Sequence, residues 1–195
     1  MINQFFLSFL HRFILAPRIK PIQEFSFTGE TKPASVLIAL HETTQGLQVV
    51  LTRRAAHLRH HAGQISFPGG KVEPTDASYQ HTAIRETFEE IGLAVSATEI
   101  IGELPSFTTI TGFSVTPVIA FTTLKQPFII DQGEVSEVFS IPIAHLLDPQ
   151  NHLFHTVTRH NITYQVFFIP WQNTFVWGAT AGMLINLAKL LRLRD

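Results

Sequence analysis

Six consecutive residues, Arg85-Glu86-Thr87-Phe88-Glu89-Glu90, carry three carboxylates within one and a half helical turns. On a helix, at about 100° per residue, Glu86 and Glu90 stand about 40° apart, and Glu89 lies about 60° to the other side of Glu86. All three then share one face, where like charges at i, i+3 and i+4 repel. A solvated acidic surface is one outcome of such a face. The other is a cation site, because clustered hard oxygens bind Mg²⁺ or Mn²⁺, above all when substrate phosphates complete the shell. Upstream stands Phe67-Pro68-Gly69-Gly70, a strand end and turn whose backbone can approach a phosphate or offer a carbonyl to a metal. A lone Gly-Gly is weak evidence. With three co-facial glutamates 16 to 20 residues downstream of Gly70, it favours the cation site.

Cations gather just before that turn. Arg53, Arg54 and Arg59 present guanidinium forks that suit phosphate oxygens, although pairing with nearby carboxylates is the alternative for each. His57, His60 and His61 lie in the same stretch. Adjacent His60-His61 is poor chelate spacing and the chain has no Cys, so loop histidines that touch phosphate or solvent are favoured over a zinc site. Between Arg53 and Glu90, 38 residues hold ten of the 29 charged side chains, and the next 38 hold only Glu99, Glu103 and Lys125. Trp177 could stack on a planar base, but buried packing at the start of the last helix is the favoured reading.

The elements that must position these groups are short and interspersed. Ser35–His41 and Leu47–Thr52 are β-branched runs around a polar turn with Gly46, which is hairpin grammar. The clearest helix runs from Thr75 to Gly92, with Thr75 or Asp76 as cap and Ala83, Ile84, Thr87, Phe88 and Ile91 as its apolar stripe. Strands are expected at Glu99–Leu104, Val115–Thr122, Phe128–Ile130 and Glu137–Ile141, then a short helix at Ile143–Leu147. His152–Arg159 and Ile162–Ile169 form a second hairpin through His160-Asn161, and an apolar helix from about Ala179 to Leu193 ends the chain. Its Leu184, Leu187, Leu190 and Leu191 suit a core or a dimer interface. The pattern reads as a layered α/β domain with a mixed sheet, not a regular βαβ winding.

The 195 residues fit one domain with a sizeable core. Fourteen Lys+Arg against 15 Asp+Glu give no bulk electrostatic reason to bind nucleic acid or an anionic membrane. Disorder is excluded by 45% hydrophobic residues at near-zero net charge. At the N-terminus, Phe5, Phe6, Phe9, Leu10 and Phe13 recur at helical spacing. No Lys or Arg precedes them and His11-Arg12 interrupts them, so an amphipathic helix is expected rather than a signal or a span. It packs in cis or on a partner subunit. The expectation is a soluble cytoplasmic protein without membrane or nucleic-acid partners, with homodimerisation left open.

The acidic segment resembles the Nudix box: a Gly, a spaced acid, then Arg-Glu-apolar-x-Glu-Glu-x-Gly-apolar. Here it reads Gly70, Asp76 and Arg85-Glu86-Thr87-Phe88-Glu89-Glu90-Ile91-Gly92-Leu93. Asp76 replaces Glu, stands nine rather than eight residues before Arg85, and Thr87 takes an apolar position; these departures bear on the helix start, not on the metal face. Upstream, Leu51-Thr52-x-Arg54-Ala55-x-x-x-Arg59-x-x-x-Gly63-x-x-x-Phe67-Pro68-Gly69-Gly70 resembles the signature of the coenzyme A pyrophosphatase branch of Nudix hydrolases. Leu104–Pro117, Glu134–Pro142 and Val176–Ala181 are also similar to that branch.

This resemblance implies a Nudix-type α/β/α sandwich with added N- and C-terminal helices. A single domain, 1–195, would hold a helix and connection at 1–32 and the core at 33–190. It implies hydrolysis of the pyrophosphate of coenzyme A or its derivatives, a small-molecule nucleotide substrate, to 3′,5′-ADP and a 4′-phosphopantetheine species. The cofactor would be Mg²⁺ or Mn²⁺ on Glu86, Glu89 and Glu90, with Arg85 orienting a carboxylate. Arg54 and Arg59, preferred to Arg53, would bind substrate together with Gly69 and Gly70. The general base would be Glu86 or a distal acid, Glu134 or Glu137, and we count Glu137 with Glu86, Glu89 and Arg85 as the catalytic set. An ADP-sugar or dinucleotide substrate, or a non-catalytic nucleotide-binding domain, are the rivals.

Overall fold

In a computed structural model of the chain, residues 4–16, 21–23, 29–124, 126–159 and 162–192 are described. A helix α1 (Gln4–Ile14) precedes strands β1 (Lys32–Thr43), β2 (Gly46–Arg54), β3 (Ile65–Ser66) and β4 (Gly69–Lys71). The helix α2 (Tyr79–Ile91) is followed by β5 (Ile100–Glu103), β6 (Phe107–Thr108), β7 (Phe113–Phe121) and β8 (Val135–Pro142). The remainder is α3 (Ile143–Leu147), β9 (Leu153–Arg159), β10 (Ile162–Trp171), β11 (Thr174–Trp177) and α4 (Ala179–Arg192).

The first eight strands form one mixed sheet along the order β3-β2-β1-β7-β5, with β4 on β1, β6 on β7 and β8 on β2. Its centre is β1, antiparallel to β2 through Leu40↔Val49 and parallel to β7 from Lys32↔Phe113 to Leu40↔Phe121. Strands buried on both faces read as unbroken apolar runs, which explains Val36–Leu40. Leu37 and Ala39 pack under α2 with Ala83 and Ile91, whereas Ile38 and Leu40 pack on the other face with Phe9, Leu184 and Leu187. The same alternation splits Val50 from Val49 and Leu51. Helices therefore cover both faces, the sandwich that the family resemblance implies. The second sheet, β9-β10-β11, buries Phe167, Ile169 and Val176 against α4 and the core.

The N-terminal helix packs in cis. Phe6 stacks on Phe121 with ring centroids 3.8 Å apart, and Phe9 is buried, but Phe5, placed by its spacing on the same stripe, is 54% exposed. Phe88 likewise leaves its stripe and faces solvent, while Ala83, Thr87 and Ile91 are buried.

Three expectations fail for local reasons. The helix over the acidic segment begins at Tyr79, not Thr75, because Ser78 is the cap and accepts from the His81 N–H at 3.1 Å. Asp76 cannot cap it, because that carboxylate is turned inward onto Arg85. Phe128–Ile130 is not a strand; its backbone closes off the end of α2 instead, through Ile129 N–H to Ile91 O and Asp131 N–H to Glu90 O. The turn at His160-Asn161 lies outside the described residues, although β9 and β10 pair as the hairpin predicts.

Thr87, at the apolar position of α2, is fully buried and its Oγ1 has no hydrogen-bond partner among the described residues. Removing an unsatisfied buried hydroxyl without changing side-chain shape is stabilising. Thr87→Val is therefore expected to raise stability by about 1 kcal/mol, read as a higher urea midpoint at unchanged slope.

Candidate active site

Strand β4 is drawn into a gap where only glycine fits. Its pairing with β1, Val36↔Gly69 and Ser35↔Gly70, puts Gly69 at φ 149, and a Cβ there would strike Ser35 O and Val36 Cα. On the next residue a Cβ would fall on the carboxylate of Glu86, so Gly70 is bare because α2 lays that acid directly on the strand. The Gly69 N–H points to Glu90 Oε2 at 3.3 Å. Two glycines thus let the acidic helix rest on a strand edge, which brings Glu86 and Glu90 to one patch of backbone.

Burial governs the charge state of both acids. Glu90 is 4% exposed, and burial pushes its pKa up to about 8; the Gly69 N–H and the charge of Arg54 oppose this, while Glu134 and Glu86 add to it. Glu86 is also raised, first by burial, against the bond and charge of Arg85 and with Glu89 and Glu134 adding repulsion. A buried and a half-buried carboxylate side by side, both raised by desolvation and by neighbouring acids, are the electrostatic complement of a hard divalent cation.

Arg85 is the organiser of the helix. Its Nε and Nη2 grip Asp76 at 3.0 and 2.9 Å, its Nη1 donates to Glu86 Oε1 at 3.0 Å and Glu89 Oε2 at 2.9 Å, and Nη2 reaches Lys71 O at 3.3 Å. The Asp76 side chain is wholly buried and also accepts from Thr82 Oγ1, the Glu73 N–H and His81 Nδ1. Facing the guanidinium, its carboxyl is held far below the usual carboxylate range, and Arg85 is raised in turn.

Glu89 is thus engaged by Arg85 and half exposed, so Glu86 and Glu90 face the strand while Glu89 faces its neighbour. Among the described residues no three acids or histidines converge on a single metal-sized point.

The arginines separate. Arg54 is half-buried, close enough to influence Glu90, and lines a cavity of about 330 Å³ together with Gly69. Arg59 is exposed and makes no ion pair among the described residues. Arg53 pairs with Glu137 at 2.9 Å across β2 and β8. That contact ties Glu137 down away from the helix acids, whereas Glu134, three residues earlier, is the distal acid whose charge reaches both Glu86 and Glu90. Of the histidines, His57 contacts Gly133 O and His61 contacts Gln64 Oε1.

Trp177 corrects the packing expectation. It is 40% exposed, at the rim of the cavity, because β11 ends there and Gly178 at φ 66 turns the chain into α4. Sequence spacing gave no sign of Tyr164, Thr109 or Gln64 as lining residues. They converge from three distant stretches of the chain, and no spacing links them.

A family model described as NUDIX domain matches residues 31–162. The chain is 40% identical over 182 residues to an uncharacterized Nudix hydrolase NudL of Shigella boydii, covering 92% of this chain and 91% of that one. It is 41% identical over 185 residues to the NudL of Salmonella heidelberg, with the same coverage. The crystal structure of a MutT/nudix family protein from Enterococcus faecalis shares the fold at a TM-score of 0.53 and 19% identity, over 94% of this chain and 66% of that one. No described helix is long and apolar enough to cross a membrane. The acid-bearing α2 laid on a Gly-Gly strand edge, the family match across that region and the identity to curated relatives agree: the chain belongs to the Nudix hydrolases.

Proposed function

We propose that this protein hydrolyses the pyrophosphate bond of coenzyme A or its derivatives, releasing 3′,5′-ADP and a 4′-phosphopantetheine species. The observation that carries the reading is the position of Arg54. This arginine of the upstream signature stands where the buried carboxylate of Glu90, the Gly69 backbone and the 330 Å³ cavity meet. A substrate pyrophosphate at that junction has a guanidinium on one side and the acidic helix on the other. The substituent beyond it has a half-enclosed cavity to occupy. Arg59, exposed in the loop that follows β2, is within the signature and supplies a second cation for the 3′-phosphate.

Glu86 and Glu90 would hold the divalent cation, Mg²⁺ or Mn²⁺, and the carbonyl of Gly70 would add an oxygen. When bound, such a cation neutralises the non-bridging oxygens and lowers the pKa of a bound water. Arg85 fixes Glu86 and joins α2 to the Asp76 loop. Glu89, which like Glu86 gives Arg85 one carboxylate oxygen, would be a third ligand through the other. Glu134 is the base we favour over Glu137, because its charge already acts on the helix acids and Glu137 is spent on Arg53. It would take the proton of the attacking water as the P–O bond to the bridging oxygen breaks and the leaving phosphate departs.

The test is a substrate panel. With Mg²⁺ or Mn²⁺ added, coenzyme A is expected to give a higher kcat/KM than ADP-ribose or NADH. A clear preference for either of the others replaces coenzyme A with an ADP-sugar or dinucleotide substrate.

A further inference from the structure

We propose that the solvent-facing side of the β9-β10-β11 sheet is a platform for an apolar tail, so that acylated coenzyme A is a better substrate than free coenzyme A. The proposal rests on the coenzyme A reading above and adds the group that distinguishes one derivative from another.

The register of the small sheet places Leu153, Phe168 and Trp177 in one row across the three strands, with Pro170 beside Phe175 in the next. Directly paired residues share a face. Since Phe167, Ile169 and Val176 point into the core, this row points outward. Leu153 is 48%, Phe175 50% and Trp177 40% exposed. Phe168 lies near-parallel to Trp177 at 6.4 Å and edge-on to Phe175 at 6.3 Å, which makes a continuous aromatic strip. Over 153–157, 164–170 and 175–177 the outward face carries no Asp, Glu, Lys or Arg. Contiguous apolar surface of this kind on a folded protein marks a contact site.

The strip is joined to the pyrophosphate site. The 330 Å³ cavity runs from Gly69 and Arg54 to Trp177, and a second, shallower depression of about 340 Å³ runs on from Trp177 over Gly63, Phe168, Thr174 and Phe175. Trp177 belongs to both. Along this path Arg54 is the only permanently charged lining residue; the first cavity sets Phe67, Val166 and Met183 beside the polar His61, Gln64 and Tyr164, and beyond Trp177 the walls are aromatic rings with Thr174. A charged or sugar-like substituent led out over the strip beyond Trp177 would shed water and find few partners there. A flexible uncharged arm ending in an alkyl chain would instead cover exposed aromatic carbon. The tail lies remote from the phosphorus under attack, so its binding is the same in ground and transition states and acts through KM.

The experiment measures kcat and KM with Mg²⁺ for coenzyme A, its butanoyl, hexanoyl and octanoyl thioesters, and ADP-ribose. Half-covering each methylene on an open strip is expected to lower KM about three- to fourfold per two carbons, at unchanged kcat. In Phe175→Ser and Leu153→Ser, whose folding is checked by thermal melts, the octanoyl-to-butanoyl ratio of about tenfold is expected to fall toward one. Tail length without effect in the native protein overturns the platform and leaves the coenzyme A reading standing. Turnover of ADP-ribose with no coenzyme A compound cleaved sinks the coenzyme A reading itself. Equal loss by Trp177→Ala on every substrate, ADP-ribose included, assigns the ring to base stacking and overturns the proposal. So does a dimer in light scattering that Phe175→Ser splits, with no tail-length effect, since a second copy then covers the strip.

Discussion

Glu90→Gln is expected to lower turnover by about a thousandfold or more and, in the absence of metal, to make the protein more stable at pH 8. Both effects come from one buried carboxylate. The folded protein raises the pKa of Glu90 to about 8, chiefly by burial, whereas the unfolded chain ionises it near the ordinary value. A carboxyl whose folded pKa is raised costs nothing below the unfolded value. It costs progressively more as pH climbs from there to the folded value, because the unfolded chain loses the proton first. The cost is a few kcal/mol by pH 8. Gln keeps the shape and an oxygen for the Gly69 N–H but has no proton to lose. Denaturant melts of the metal-free proteins at pH 4.5 and pH 8 should therefore agree at the lower pH and diverge at the higher, with the variant more stable. Added Mg²⁺ should stabilise only the native protein, and more at pH 8 than at pH 6, since binding must displace the Glu90 proton. Equal stability at pH 8 would mean that Glu90 is not strained by burial. Retained turnover would remove it from the metal site.

Arg85→Ala is expected to be the most destabilising change in the site, about 3–5 kcal/mol at pH 7. The side chain of Asp76 is completely buried, and Arg85 holds both of its oxygens. Without the guanidinium, Asp76 keeps Thr82, His81 and the Glu73 N–H but no permanent countercharge. The sign with pH is opposite to that of Glu90. Here the folded pKa is depressed, so the stabilisation is present above the unfolded value near 3.9 and is lost as pH falls toward the folded value. The gap between native and variant midpoints should therefore be wide at pH 7 and shrink below about pH 4. Arg85→Lys tests whether charge alone suffices. A single ammonium cannot reproduce the fork onto Asp76 together with the bonds to Glu86 and Glu89, so rescue should be partial.

Much of this site was legible in the chain because its parts are periodic or adjacent. Glu86, Glu89 and Glu90 share a helix, and 3.6 residues per turn places them on one face whatever the rest of the fold does. The strand before Phe67-Pro68 does stop there, but Gly69-Gly70, expected as a turn, continues as strand β4 because β1 pairs with it. Strand β1 announced its double burial through an unbroken apolar run. Where side chains meet across the sheet, the chain was silent. Arg53 and Arg54 are neighbours, yet a shift of register between them sends Arg53 to Glu137 and leaves Arg54 beside Glu90. Strand parity and a bulge decide which arginine serves the site, and neither can be read from composition. The choice between Glu134 and Glu137 turns on the same geometry, since one precedes β8 and the other lies within it.

The sequence alone determined that the chain would carry an acidic helix after a glycine pair, with arginines before it and apolar strands around it. Those are local facts, set by backbone periodicity and by which residues tolerate a turn. Tertiary structure decided that Gly70 would have the Glu86 carboxylate where a Cβ belongs, that Asp76 would turn inward to Arg85 and leave the cap to Ser78, and that Trp177 would stand open at the cavity rim. Each depends on what arrives from elsewhere in the chain. Burial and charge at a site come from neighbours in space, and those are known only once the layers have closed.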